Sequence, residues 1–218
     1  FIYHIPNRED EGYGMNSERI KSLKEEGVDI ILSCDNGISA IEQVKLAKEL
    51  GMKVIITDHH ELSFKEDENG ERHYILPEAD AVVNPKRGDC SYPFKMLCGA
   101  GIAFKFAQAL YSVMNVNEDE IYELLQYAAI GTICDVVDLV DENRIIAKNG
   151  LKILKNTENL GLKALIKETN IEGKDLNSYH IGYIIGPCIN ATGRLETAKL
   201  SVELLLAEDE RTAEDLAS

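Results

Sequence analysis

The first third of the chain alternates short apolar segments with an amphipathic one. Residues 28–33, VDIILS, are apolar and β-branched, which predicts a strand covered on both faces. Residues 39–51 carry a helical apolar stripe, end in glycine, and begin with capping-box spacing between Ser39 and Glu42. Residues 52–57, MKVIIT, predict the next strand. The three segments therefore predict a parallel βαβ unit.

Helical spacing replaces strand spacing beyond Gly99. Apolar residues recur at helical intervals through 101–114, through 118–133 and again near 143–155. Asn117, three residues before a glutamate, has the spacing of a helix cap. The predicted fold class is therefore α/β, a parallel-sheet domain with a mostly helical C-terminal extension.

Two more strands complete the expected sheet. One is predicted at 81–83, before Asn84-Pro85, and the other in the opening residues FIYHI, at 1–5. No internal repeat or low-complexity linker divides the chain. The pattern therefore favours one domain.

Composition indicates a soluble globular protein with a cytoplasmic setting. The chain has 218 residues, of which 44% are hydrophobic, and no apolar run approaches the roughly 18 to 20 residues of a membrane helix. Its five cysteines are scattered and never in C-x-x-C spacing, which predicts reduced, buried thiols rather than disulfides or a zinc knuckle.

The charge balance restricts how this protein could meet a nucleic acid. Lys and Arg number 23 and Asp and Glu number 38, a net charge of −15. Such a surface does not gather a polyanion by bulk electrostatics, so a phosphate substrate would have to be bound locally. Abundant carboxylates are also the ligands that hard divalent cations prefer.

Acids and imidazoles follow the two central predicted strands. Asp35 comes after the first, and Asp58, His59 and His60 follow the second. Carboxyl ends of parallel strands share one edge of a sheet, so these side chains are expected about 5 to 10 Å apart in one crevice. Asp35 alone suits an ordinary turn, but two adjacent histidines exceed what a turn needs. Asp135, after another apolar run, is a third candidate, and the mixture favours Mn²⁺ or Mg²⁺ over zinc.

The ordered motifs resemble a known family. The sequence contains, in this order, IPNREDEGYGMN, SCDNGIS, TDHHE, VVNPKR, SYPFKMLCGAGIAF, AAIGTICDVVDL and GPCINATGRL. This set is similar to the DHH phosphoesterase superfamily and, within it, to RecJ-type exonucleases that degrade single-stranded DNA from the 5′ end. The resemblance covers essentially the whole chain.

The resemblance implies a metal site with two Mn²⁺ or Mg²⁺ ions. Asp35 matches the bridging acid, His59 a metal ligand and Asp135 the last acidic ligand. Asp58 matches a carboxylate that orients an imidazole. The ions would activate water and stabilise the leaving oxygen in phosphodiester hydrolysis.

The resemblance also implies which residues meet the substrate. His60 would face the scissile phosphate, and Arg194 and, more weakly, Arg8 would bind a phosphate through the guanidinium fork. Gly99 and Gly101 could let the backbone at a helix N-terminus approach a phosphate, although helix–sheet packing explains them equally well.

The resemblance further implies an incomplete catalytic core. Residues 1–206 would be a DHH domain lacking its N-terminal strand and its aspartate-rich first motif, and 207–218 would begin a helix that connects to a second lobe. The two-ion site would be partly missing and this piece inactive or impaired. The expected partners are single-stranded DNA, a single-strand-binding protein and a helicase, with no membrane.

Two other functions remain open at this point. One is a DHH-family hydrolase of oligoribonucleotides, cyclic dinucleotides or pyrophosphate, which would use the same metal site. The other is a non-catalytic replication or repair scaffold, although Asp35, the DHH tripeptide and Asp135 are all intact.

Overall fold

The fold is described from a computed structural model covering residues 1–6, 14–195 and 198–218, without the side chains of 118 and 191–195. The chain divides into two compact units. One comprises Arg8–Leu110, and the other comprises Phe1–Asn7 with Tyr111–Ser218.

The Arg8–Leu110 unit is built on a three-stranded parallel sheet of order β1-β2-β5, beside an antiparallel β3–β4 hairpin. Its elements in chain order are α1 (Ser17–Glu25), β1 (Ile30–Cys34), α2 (Ile41–Glu49), β2 (Lys53–Thr57), β3 (Ser63–Glu66), β4 (Arg72–Ile75), β5 (Ala81–Val83) and the first part of α3 (Gly99–Met114). The predicted βαβ unit and the 81–83 strand are confirmed. The hairpin was not predicted.

Strand β1 is covered on one face rather than two, so its predicted two-sided coverage is wrong. Helices α1 and α2 contribute Ile20, Val44 and Ala47 to a core that includes Val54 and Ile56 of β2. On the alternate face of β1 the side chains are open, with Ile30 and Leu32 56% and 53% exposed.

The capping box predicted for α2 is also wrong. The helix begins at Ile41, and the capping residue Ala40 makes no side-chain cap bond. The backbone N–H of Ile38 instead donates to Asp58 Oδ2 from the end of β2, at 2.9 Å. The predicted stop is confirmed, because Gly51 has φ +75° directly after the last helical turn.

The other unit is helical, as predicted. Its elements are the end of α3, α4 (Glu118–Glu123), α5 (Leu125–Cys134), α6 (Asp141–Leu154), α7 (Leu160–Glu168), α8 (Ser178–His180), a π-helical segment (Ile181–Ile185), α9 (Gly186–Leu195), α10 (Lys199–Leu205) and α11 (Glu210–Ala217). Its core centres on Leu154, Leu162, Ile171, Ile181 and Ile185, all at most 1% exposed.

Two details of this unit differ from the sequence predictions. Helix 118–133 is two helices that meet at Leu124, although Asn117 caps the first by accepting from the Asp119 N–H at 3.1 Å. Residues 1–6 form no strand.

None of the described cysteines is in a disulfide, but only Cys98 is buried. Among the described residues, no helix is long and apolar enough to cross a bilayer.

Candidate active site

The candidate site lies where β1 and β2 end side by side. Cys34 pairs with Thr57 at the last register position, so Asp35 and Asp58 leave the sheet at the same level. The Asp35 N–H donates to the Thr57 carbonyl at 2.9 Å, and the Thr57 hydroxyl donates to the Ser33 carbonyl at 2.8 Å. The parallel pairing thus continues into the first residue of the site.

Hydrogen bonds within the turn that carries Asp35 hold its backbone in place. Asp35 has φ +60°, in the left-handed region that non-glycine residues seldom adopt. The Ser33 hydroxyl donates to the Asn36 carbonyl at 2.8 Å, and the Asn36 amide donates to the Cys34 carbonyl at 3.0 Å. These bonds fix the backbone of Asp35, although its side chain remains 52% exposed.

Asp58 is the buried organiser of the site. Its side chain is 1% exposed and accepts from the Ile38 N–H at 2.9 Å, from the His59 and His60 N–H groups at 2.8 and 3.2 Å, and from His60 Nδ1 at 2.7 Å. Burial raises the pKa of Asp58, but the bonds from Ile38 and His60 outweigh it and hold that pKa below its usual range. The carboxylate therefore stays ionised and orients the His60 ring.

Three potential ligand atoms converge in front of Asp58. One ligand atom from each of Asp35, His59 and His60 lies within 4.8 Å of the other two. His59 Nε2 is 3.1 Å from Asp35 Oδ1, and the two imidazole ring centroids are 4.5 Å apart. Because His60 Nδ1 donates to Asp58, its Nε2 is the nitrogen with a lone pair to offer. One carboxylate and two imidazoles suit a divalent first-row cation.

Asn84 supports the site from β5, and its role was missed in the sequence. Its side chain is buried, and its amide donates to the His60 carbonyl at 3.0 Å while its carbonyl accepts from the Lys86 N–H at 2.8 Å. The signal was present, since an asparagine before a proline directly follows the predicted strand at 81–83. Asn84 therefore fixes the backbone of the second histidine.

The remaining predicted residues belong to the other unit or lie outside the described residues. Asp135 belongs to the helical unit, where it is the C-terminal cap residue of α5 and its N–H donates to the Gly131 carbonyl at 2.9 Å. Arg8 and the side chain of Arg194 lie outside the described residues. The structure thus brings together Asp35, Asp58, His59 and His60, and the participation of Asp135 and the two arginines stays a prediction.

Comparison with known proteins supports the motif-based resemblance. The family model for the DHH family, N-terminal domain, matches residues 1–132. Among curated proteins, the chain is 45% identical over 216 residues to the single-stranded-DNA-specific exonuclease RecJ of Bacillus subtilis, covering 99% of this chain and 25% of that protein. The RecJ of Salmonella typhimurium is 37% identical over 226 residues, covering 99% and 37%.

Solved structures give the same result. An exonuclease RecJ bound to manganese superposes with a TM-score of 0.81 at 31% identity, over 98% of this chain and 51% of that one. RecJ from Thermus thermophilus in complex with Mn²⁺ gives 0.76 at 29% identity, over 92% and 28%. The chain thus spans from about a quarter to about half of the length of these relatives. The α/β fold class is confirmed, and the chain belongs to the DHH family.

Proposed function

We propose that this chain is part of a metal-dependent phosphodiesterase that hydrolyses single-stranded DNA from its 5′ end. The observation that carries the proposal is the convergence of Asp35, His59 and His60 ligand atoms within 4.8 Å at the ends of two parallel strands. The names of the relatives support the substrate, since both curated RecJ proteins are called single-stranded-DNA-specific exonucleases.

The contacts support the proposed roles of Asp35, Asp58, His59 and His60, and the motif resemblance supports those of Asp135, Arg194 and Arg8. Asp35 and His59 would hold a divalent cation, and Asp135 would add a further acidic ligand. Mn²⁺ or Mg²⁺ bound there, as a pair in the full site, would supply an acidified water and charge neutralisation at the phosphate. His60, oriented through Nδ1 by the buried Asp58, would present Nε2 to the scissile phosphate. Arg194 and Arg8 would bind flanking phosphates.

The proposed biological setting is the repair or recombination of DNA in the cytoplasm. A helicase and a single-strand-binding protein would be the partners that expose and hold the strand. With a net charge of −15, this chain offers little bulk attraction for DNA, so most of the strand-binding surface would lie on the part of the protein outside it.

The test uses the full-length protein containing this chain and compares matched histidine variants. His59→Ala and Asp35→Ala should weaken Mn²⁺ binding by on the order of 100-fold or more and abolish nucleotide release from a 5′-phosphorylated single strand. His73→Ala is the control, because His73 also lies beside carboxylates, in the exposed β3–β4 hairpin. Calorimetry measures Mn²⁺ affinity, and a labelled strand measures release.

A length-graded substrate panel separates the remaining functions. Preference for dinucleotides over long strands would favour the small-substrate hydrolase. Absence of both hydrolysis and Mn²⁺ binding in the unaltered protein would favour the scaffold. Full activity in Asp35→Ala and His59→Ala would contradict the proposed site itself.

A further inference from the structure

The N-terminal glycine of α3 lies directly against the Asp35 carboxylate. A Cβ added to Gly99 would be 2.2 Å from Asp35 Oδ1, 2.3 Å from its Cγ and 2.5 Å from its Cβ. These separations are far inside van der Waals contact, so the carboxylate occupies the space that any side chain at position 99 would need. Gly99 is itself buried.

The same carboxylate oxygen faces both Gly99 and His59. Asp35 Oδ1 is the nearest atom to the missing Cβ, and it is also the atom 3.1 Å from His59 Nε2. Moving Oδ1 away from position 99 would therefore alter its distance to the imidazole.

The surrounding turn cannot absorb such a movement. The N–H of Asp35 is bonded to the Thr57 carbonyl, and the bonds at Ser33 and Asn36 hold the residues on either side. Rotation of the Asp35 side chain, which is 52% exposed, would move Oδ1 and Cγ away from an added methyl group and therefore away from His59 Nε2. It would not move Asp35 Cβ, which lies 2.5 Å from the added carbon, so the start of α3 would also have to shift.

We propose that Gly99 is a positioning residue for the metal site: its missing side chain leaves the space in which Asp35 Oδ1 is held beside His59. The inference rests on the proposed function, because it assigns Asp35 as a ligand. It differs from a general need for glycine at a helix start, because the neighbour that requires the space is one carboxylate.

Gly101, in the same first turn of α3, provides the matched control. A Cβ there would be 3.3 Å from Leu97 Cδ2, the end of a flexible side chain, and 3.6 Å from Leu97 Cβ. Gly99→Ala and Gly101→Ala thus make the same chemical change in one helix, but only the first displaces Asp35.

The experiment measures Mn²⁺ affinity, nucleotide release and thermal unfolding of the full-length protein. Gly99→Ala should weaken Mn²⁺ binding by on the order of 10- to 100-fold, with a parallel loss of nucleotide release, because an outer contact that orients a ligand is worth that much. Gly101→Ala should bind Mn²⁺ as the unaltered protein does. Unaltered Mn²⁺ affinity in Gly99→Ala would overturn the inference.

Asp35→Ala separates this inference from the proposed function. If Asp35→Ala abolishes Mn²⁺ binding and Gly99→Ala does not, only the positioning role fails. If Asp35→Ala leaves binding intact, the proposed site fails.

A double variant keeps the test decisive if Gly99→Ala unfolds the protein. Asp35→Gly removes the carboxylate from the contact, so adding Gly99→Ala to it should lower the melting temperature far less than Gly99→Ala lowers it alone. An equal loss in both backgrounds would show that Asp35 is not the group that requires glycine, and it would overturn the inference.

Discussion

Two clusters in the Arg8–Leu110 unit combine carboxylates with imidazole, and they differ in what supports them. In each, three potential ligand atoms lie within 4.8 Å of one another. The strand-end cluster is Asp35, His59 and His60, and the hairpin cluster is Asp67, Glu71 and His73. Spacing of ligand atoms alone therefore does not distinguish them.

The hairpin cluster is explained by its own turn. Asp67 Oδ1 accepts from the Asn69 and Glu71 N–H groups, both at 2.9 Å, and its Oδ2 lies 3.3 Å from His73 Nε2. All these residues are near neighbours in sequence, and turn formation brings them together without a ligand. Bonds from Glu71 and Asn69 lower the pKa of Asp67, which is the usual effect of turn N–H groups on a carboxylate.

No local turn explains the strand-end cluster. Its members come from two strands, and the buried Asp58 behind them receives four hydrogen bonds from three residues. Such burial makes the arrangement rigid and costly to disturb. The buried hydrogen bonds to Asp58 therefore distinguish the strand-end cluster from the hairpin cluster, and this difference can be tested.

The largest difference between the two clusters, in unfolding free energy and in Mn²⁺ affinity, is expected when Asp58 or Asp67 is replaced by asparagine. Asp58→Asn removes a charged acceptor and turns an amide toward buried N–H groups, which should lower the free energy of unfolding by about 3 kcal/mol. It should also weaken Mn²⁺ binding, since the His59 N–H donates to Asp58 Oδ1 and this bond positions a proposed ligand. Urea unfolding and calorimetry measure both.

Asp67→Asn is the matched control for that change. Its side chain lies at the exposed hairpin turn, where water replaces the lost bonds, so Mn²⁺ affinity and unfolding should stay near those of the unaltered protein. Equal losses in the two variants would remove the distinction between the clusters.

A smaller effect is expected on the pH dependence of stability. Because the folded-state pKa of Asp58 lies below its usual range, its ionised form stabilises the fold at neutral pH. That contribution is complete above the unfolded pKa of about 3.9 and is lost as pH falls from there through the lower folded pKa. Asp58→Asn should therefore flatten the acid side of the stability curve. The measurement is the free energy of unfolding between about pH 5 and pH 2. If it falls with pH equally steeply in Asp58→Asn and in the unaltered protein, Asp58 is not the group that stabilises the fold in this range.

The sequence predicted the strand-end cluster because a general property of parallel sheets places it. Once 28–33 and 52–57 are interpreted as neighbouring parallel strands, their following residues must meet at one edge. The supporting contacts could not be predicted in the same way. The Ser39 capping box failed because Ser39 lies inside a turn in which the Ala40 N–H donates to the Gly37 carbonyl, so the helix begins only at Ile41. The bond from the Ile38 N–H to Asp58 joins residues that only the folded chain brings close.

The β3–β4 hairpin was missed for a different reason, because its signal is local rather than long-range. Its strands, SFKE and RHYI, are short and carry several charges, so they lack the apolar alternation that predicts a half-buried strand. The Asn69-Gly70 dipeptide between them is a common hairpin turn signal and could have revealed it. Local turn chemistry, rather than burial, determines this element.

The smallest effect is expected from weakening the hairpin itself. The Phe64 and Tyr74 rings meet edge-on, with their centroids 6.2 Å apart. The Arg72 guanidinium lies over the Phe64 ring, 4.3 Å from the centroid of that ring. Phe64→Ala should therefore cost the hairpin about 1 kcal/mol, seen as faster amide exchange in β3 and β4. Mn²⁺ affinity should not change, because the strand-end cluster draws its support from β1, β2 and Asp58. A parallel fall in Mn²⁺ affinity would show that the two clusters are energetically coupled, and their independence would have to be abandoned.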